Sequence, residues 1–254
     1  LQAVNSYVLM NSSKTTEEKL LHIYKSMEHG EKAIALDPNH SSAFNLLAQA
    51  YNYLIFESSA QDKRAENDIK FREYTEKAFQ LDPQNPDSIM NMGFIAFLDG
   101  DRNRFKDYVN KAFEVNPHHS RTLRAKGMNL VEDGKDFTAA IDAFTKAAEI
   151  DPLGEHYGQT VIFFCHLGNR DWENANQSLD REMRENNHSR YFGFKAVVLA
   201  HQGKVEESKE WLSKYQKERP EIKNIEDYRT VAPSLNEQIK NLLIEGMKMA
   251  GLPE

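Results

Sequence analysis

The chain has 254 residues, 40% of them hydrophobic, and a formal net charge of −7. This composition is sufficient for a buried core, and the negative charge argues against a nucleic-acid backbone as the main partner. No apolar run reaches the roughly 18 residues that a membrane-spanning helix needs, and the first residues show no secretory signal. Because the chain starts with Leu1, we expect a fragment or a processed product. The single cysteine, Cys165, excludes an internal disulfide.

A short phrase recurs along the chain and ends in proline each time. It reads Ala-Ile-Ala-Leu-Asp-Pro up to Pro38, Lys-Ala-Phe-Gln-Leu-Asp-Pro up to Pro83, Lys-Ala-Phe-Glu-Val-Asn-Pro up to Pro117 and Lys-Ala-Ala-Glu-Ile-Asp-Pro up to Pro152. The last two intervals are 34 and 35 residues. A period in this range is typical of solenoids that stack helical hairpins and present an extended surface to other chains.

The clearest unit spans residues 86–117. Asn85 and Pro86 predict the start of its first helix, and Gly100 predicts its end. Gly93 stands in the middle of that helix, where glycine costs about 1 kcal/mol relative to alanine. We therefore expect the second helix of the unit to cross the first at close range there.

Several offsets resemble the tetratricopeptide repeat (TPR) family at once. Its pattern places large, small and aromatic residues at fixed positions in two helices, with proline at the end. One unit supplies Phe44, Leu47, Ala48, Tyr51, Ala78 and Pro83, and another supplies Leu123, Gly127, Leu130, Phe137, Ala140, Phe144, Ala147 and Pro152. The resemblance implies an all-α, right-handed superhelical solenoid of about six helix-turn-helix repeats, at approximately 1–38, 41–83, 86–117, 120–152, 155–187 and 189–220.

The period is interrupted near residues 57–68, where about 11 polar residues are inserted before Pro83. They would lengthen a loop or a helix end. Such an insertion is either tolerated at the surface or part of a binding face.

Residues 234–254 follow the repeats and predict a closing helix. Ser234 and Glu237 have the spacing of a capping box, and Ile239, Leu242 and Leu243 share one apolar face. The simplest interpretation is a C-terminal capping helix that covers the apolar face of the last repeat; the alternative is a helix that docks on a partner.

The last 11 residues permit a narrower resemblance. The stretch Ile-Glu-Gly-Met-Lys-Met-Ala-Gly-Leu-Pro-Glu is similar to the end of the TPR region of bacterial class III adenylate cyclases and of ToxR/CadC-type winged-helix transcriptional regulators. It implies the regulatory or sensory arm of a larger signalling or transcription-regulatory protein. We expect a cytoplasmic location, although ToxR/CadC-type activators would place this region in the periplasm.

The TPR resemblance also implies a concave groove lined by fixed positions of each first helix. Matching positions give the partner-binding residues Asn45, Gln49, Tyr53, Met90, Phe94, Phe97, Arg121, Arg124 and Met128. In the fifth repeat, Pro152 and Gly168 imply registers that differ by one residue. The corresponding groove residues are therefore Gln159 or Gly158, Phe163 or Ile162, and His166. Such a groove suits an extended or helical peptide with apolar anchors and an acidic group. Alternatively, the phenylalanines pack between neighbouring first helices and the arginines are solvated surface charges.

Two pairs of residues resemble catalytic or metal-binding groups but have the wrong spacing. His118 and His119 are adjacent, so they lack the i, i+4 spacing of helical metal ligands. Cys165 and His166 point about 100° apart on a helix, which separates a nucleophile from its base. We expect no catalytic residues, metal or cofactor.

The sequence thus predicts a non-catalytic module that binds a protein or peptide, with no direct nucleic-acid contact and no membrane insertion. The alternatives are a homo-oligomerisation module, such as a homodimer, and a small-molecule-sensing effector domain.

Overall fold

The computed structural model of the chain describes residues 15–152, 156–185, 188–232 and 236–254. These residues contain α-helices, one six-residue 3-10 segment and no strand, so the predicted all-α class is confirmed. The helices are α1 (Thr16–Leu36), α2 (Ser41–Phe56), α3 (Arg64–Leu81), α4 (Pro86–Leu98), α5 (Arg102–Val115), α6 (Ser120–Asp133), α7 (Phe137–Ile150), α8 (His156–Gly168), α9 (Trp172–Glu185), α10 (Arg190–His201), α11 (Val205–Glu218), α12 (Ile225–Val231) and α13 (Glu237–Met249).

The chain divides into two compact units. The first contains Leu1–Lys126 with Glu149–Gly154, and the second contains Gly127–Ala148 with Glu155–Glu254. The first helix of repeat one, predicted within residues 1–11, lies outside the described residues. Its second helix is α1, which starts with a capping box between Thr15 and Glu18.

Helix α4 begins and ends at the predicted residues. The side chain of Asn85 accepts hydrogen bonds from the backbone N–H groups of Asp87 and Ser88, and Pro86 occupies the first turn. Gly100 adopts a left-handed φ of 80°, which reverses the chain into α5. Local chemistry therefore fixes both ends of this helix.

Gly93 provides the close helix crossing that the sequence predicts. A Cβ atom at this position would lie 3.0 Å from Tyr108 Cβ and 3.5 Å from the Phe105 ring. Because Tyr108 Cβ is bonded directly to the backbone of α5, the contact cannot be relieved by rotating a side chain. A hydrogen on the glycine is what allows α4 and α5 to approach.

The insertion near residue 60 forms a short helical connection. A 3-10 segment at Ser58–Lys63 is followed by α3, whose 18 residues exceed the 14 of the second helix α5. Gln61 Nε2 donates to the carbonyl oxygens of Ile55 and Glu57, at 3.2 and 3.0 Å, and so closes the end of α2.

In the second unit, glycines accommodate phenylalanine rings. An added Cβ would lie 2.7 Å from the Phe144 ring at Gly127 and 2.5 Å from the Phe137 ring at Gly168. Gly168 is the last residue of α8, and Arg170 takes the left-handed conformation with φ 57°. The space that the Phe137 ring occupies explains why residue 168 is a glycine.

Helix α13 covers more than the last repeat. It packs against α8, α10 and α12, and its side chains Ile239, Leu243 and Met247 are all 0% exposed. The predicted capping residue Ser234 lies outside the described residues, and the observed cap is Asn236, which accepts from the Ile239 N–H at 2.9 Å. The helix therefore forms part of the core of the second unit.

Polar contacts fix the position of α13 across the first helices of several repeats. The Asn236 amide donates to the carbonyl oxygen of Val131 in α6. Gln238 Nε2 donates to the carbonyl oxygen of Gly168 in α8 at 2.9 Å, and His201 Nε2 in α10 lies 2.9 Å from the carbonyl oxygen of Leu242. These bonds join the ends of α6, α8 and α10 to one segment.

We predict that Gly93→Leu lowers the free energy of unfolding by about 1–3 kcal/mol, because the added side chain must separate α4 from α5. Urea denaturation followed by circular dichroism measures the change. The control is Asn110→Leu, an exposed position on α5. Equal stability of the two variants would show that no tight crossing exists.

We predict that Leu243→Ala costs about 2–5 kcal/mol, because it leaves a cavity beneath α13. Glu245→Ala, on the exposed side of the same helix, should change stability little. Both variants are compared by urea denaturation. Wild-type stability of Leu243→Ala would contradict the assignment of α13 to the core.

Candidate protein-interaction surface

Two of the nine predicted groove residues have buried side chains. Asn45 is 3% exposed and Met90 is 0% exposed, so the structure corrects the prediction that these side chains face an open groove. Asn45 Nδ2 donates to Ser88 Oγ at 2.8 Å, and Asn91 Nδ2 donates to Asn45 Oδ1 at 3.2 Å. The packing of α4 against α2 covers Asn45, whose side-chain amide is satisfied by these two hydrogen bonds. Met90 lies instead in an apolar cluster with Phe105 of α5 and Ala125 of α6.

Asp87 collects three donors on the surface above this network. Gln49 Nε2 donates to Asp87 Oδ1 at 2.9 Å. His119 Nε2 and Arg121 Nη1 both lie 3.4 Å from the same oxygen. His119 also contacts Thr122 Oγ1 through Nδ1, at 2.7 Å. The carboxylate thus fixes one side chain each from α2 and α6 and one from the turn before α6.

The pKa of Asp87 lies below its ordinary value. Burial acts to raise it, but the hydrogen bond from His119 and the positive charge and hydrogen bond of Arg121 outweigh that effect. Asp87 is therefore ionised at neutral pH and keeps Arg121 in place.

Arg121 also lies against an aromatic pair. Its guanidinium carbon is 4.9 Å from the centre of the Phe94 ring, a cation–π distance. The Phe94 and Phe97 rings are 6.4 Å apart in an edge arrangement, and Arg102 lies 4.0 Å from the centre of the Phe97 ring. Both phenylalanines are partly exposed. We call Gln49, Asp87, Phe94, Phe97 and Arg121 the aromatic–basic face.

The remaining predicted residues lie elsewhere. Tyr53 Oη donates to Glu57 Oε2 at 3.2 Å, near the end of α2. Arg124 Nη2 donates to Asp151 Oδ2 at 3.0 Å, so this arginine is already paired. Met128 is partly exposed and belongs to the second unit.

Sequence reasoning gave no organising role to Asp87 or to His119. The signal was present, because Asp87 and Phe94 are seven residues apart on α4, which places them on one face of the helix. His118 is exposed, whereas its neighbour His119 contacts Asp87.

The alternative groove residues of repeat five differ in burial. Gly158 and Phe163 are buried, while Ile162 and His166 are partly exposed; Gln159 is 8% exposed. Cys165 is 0% exposed, and burial raises the pKa of its thiol to about 12. The thiol therefore stays protonated at neutral pH and packs as a core side chain.

Among the described residues, no group of three or more His, Cys, Asp or Glu side chains could hold a metal ion. In the same part of the chain, no helix is both long and apolar enough to span a membrane.

A family model described as "Regulator of microtubule dynamics protein 1-3" matches residues 2–97. No match to a curated protein was found. The family model covers less than half of the chain and overlaps Gln49, Asp87, Phe94 and Phe97 of the aromatic–basic face.

Solved structures of TPR proteins share the fold. PilW, described as a widely conserved type IV pilus biogenesis factor, is 17% identical with a TM-score of 0.55, covering 83% of this chain and 88% of its own. YrrB, described as a TPR protein with an unusual peptide-binding site, is 17% identical with a TM-score of 0.53, covering 76% and 94%. PilF of Pseudomonas aeruginosa is 15% identical with a TM-score of 0.54, covering 82% and 88%. The chain therefore has a TPR-type helical-repeat fold.

We predict that Asp87→Asn lowers the free energy of unfolding at pH 7 by about 1 kcal/mol, a value discounted for the partial exposure of the ion pairs. Because the folded-state pKa is lowered, this stabilisation is present above about pH 4 and is lost as the pH falls through the folded value. The difference between wild type and variant should therefore shrink from pH 7 to pH 3.

Urea denaturation across this pH range measures the difference. Asp107→Asn, an exposed position on α5, serves as the control. A constant difference at all pH values would show that the charge of Asp87 does not stabilise the fold.

Proposed function

We propose that the chain is a non-catalytic interaction module whose aromatic–basic face binds a segment of another protein. The observation that carries the proposal is the arrangement of Arg121, held between Asp87 and the Phe94 ring beside the partly exposed Phe97. Aromatic and arginine side chains dominate the binding energy of protein interfaces, above all when they are fixed before binding.

The chemistry of this face selects an apolar anchor next to an acidic group. The rings of Phe94 and Phe97 offer apolar area, and the Arg121 guanidinium has more donors than its single contact to Asp87 uses. A carboxylate of the partner would accept hydrogen bonds from the Arg121 donors that Asp87 does not use. A leucine-like side chain of the partner would cover the Phe94 and Phe97 rings.

Helix α13 supports a helical form for the partner. In the second unit it packs its apolar face on α8 and α10, which are the first helices of their repeats. Gly246 of α13 is so near α10 that an added Cβ would lie 3.0 Å from Val197 Cα. First helices of this chain therefore accept an amphipathic helix, and α2, α4 and the first half of α6 are their counterparts in the first unit.

The same proposal includes a regulatory role within a larger protein. The family that matches residues 2–97 is described by its regulatory activity. The narrower resemblance to bacterial cyclases and ToxR/CadC-type activators stays a prediction. In either setting, the module would act by binding, without chemistry of its own.

A pull-down with the purified chain tests this function. Wild type is compared with Phe94→Ala/Arg121→Gln and with a control variant, Val115→Ala/Arg104→Gln, altered at exposed positions of α5. Bound proteins are quantified by mass spectrometry. We expect a protein that wild type and control retain equally, and that the face variant loses by roughly tenfold or more.

Two results would contradict the proposal. Equal retention of every bound protein by all three forms would remove the aromatic–basic face from binding. Recovery of only further copies of the chain, unaffected by the face variant, would favour homo-oligomerisation.

A further inference from the structure

The second unit contains a cavity of about 260 Å³, and no residue of the aromatic–basic face lines it. Helices α7, α8 and α9 form it, with α8 contributing Gln159, Ile162 and His166. This volume is near the lower limit of small-ligand sites, so it suits a small molecule or a single side chain. The complete lining is Ile141, Thr145, Ala148, Gln159, Ile162, His166, Asn174, Gln177, Ser178 and Arg181.

The lining of the cavity is positively charged, whereas the protein has a net negative charge. The chain carries 39 acidic against 32 basic residues, yet no carboxylate lines this cavity. Arg181 is exposed and makes no ion pair with any residue that the structure describes. Five further lining residues have neutral hydroxyl or amide side chains that can donate hydrogen bonds. The lining therefore favours an anion.

Asp171, which does not line the cavity, orients the His166 ring. Its Nδ1 lies 3.5 Å from Asp171 Oδ2, which leaves Nε2 as the other polar atom of the ring. Asp171 also caps α9, accepting from the Asn174 N–H at 3.2 Å and from Asn174 Nδ2 at 2.7 Å. Burial lowers the pKa of His166, although Asp171 opposes the shift, so the ring is mainly neutral at pH 7.

Two features of the cavity favour a carboxylate over a phosphate. Phosphate sites commonly use free N–H groups at a helix N-terminus, but here Asp171 already caps the start of α9. Only one arginine is present, which balances a single negative charge. The aliphatic residues Ile141, Ala148 and Ile162 line the same cavity and suit a short hydrocarbon stem.

We propose that the α7–α8–α9 cavity binds a carboxylate carried on a short aliphatic stem, with Arg181 as its cation. Such a group occurs both in free short-chain acids and in acidic side chains of a partner protein. The site is separate from the function proposed for the first unit, so each can fail without the other.

Titration of the full chain with butyrate, followed by NMR, tests the site. The readouts are the Arg181 Nε–Hε and His166 ring signals. We expect saturable shifts with a Kd on the order of 1–10 mM, as befits a ligand of this size. Arg181→Gln should weaken binding by roughly tenfold, because a charge-assisted contact is lost. Arg184→Gln, also exposed on α9, should leave it unchanged.

Butyramide has nearly the same shape without the charge and should bind at least roughly tenfold more weakly. Equal binding of butyramide, or equal loss in Arg181→Gln and Arg184→Gln, would overturn the proposal. Tighter binding of phosphate than of butyrate would overturn the assignment to carboxylates. Between butyrate and an N-acetylated, C-amidated Ala-Glu-Ala peptide, which carry one carboxylate each, tighter binding of butyrate supports a free acid, and tighter binding of the peptide supports a partner's side chain.

Discussion

Contact between a small residue on the first helix of a hairpin and a ring on the second is the constraint on which the repeats depend. Gly93 faces Tyr108, Gly127 faces Phe144, and in α10 an added Cβ at Gly193 would lie 3.3 Å from the Tyr215 ring. Each contact sets how closely two helices cross. The crossing in turn fixes which side chains of the first helix remain accessible.

The aromatic–basic face follows from this geometry. With α4 held against α5, Phe105 supports Phe94 and Phe97 from beneath, at ring separations of 5.7 and 5.6 Å. Because Phe105 fills the space between the two helices, the Phe94 and Phe97 rings stay partly exposed. Asp87, two turns earlier on α4, then positions Arg121 over one of them. The close packing of α4 against α5 thus leaves the Phe94 ring partly exposed beside Arg121.

Features set by neighbouring residues could be predicted from the sequence. The Asn85 cap, the turn at Gly100 and the close approach at Gly93 each depend on a few adjacent or periodic residues. The burial of Asn45 and Met90 could not be predicted in this way, because it depends on how closely α4 packs against α2 at Asn45 and against α5 and α6 at Met90. The α7–α8–α9 cavity brings together residues up to 40 positions apart, from Ile141 to Arg181, and the repeat pattern alone does not indicate such a grouping.

Both tryptophans of the chain, Trp172 and Trp211, belong to the second unit. The Trp172 ring stacks on His201 with 4.4 Å between centres, and His201 in turn contacts the backbone of α13. Tryptophan emission therefore reports on one half of the molecule and responds to the position of its last helix. Circular dichroism averages over all helices, so comparing the two signals during denaturation distinguishes concerted unfolding from the separate melting of each unit.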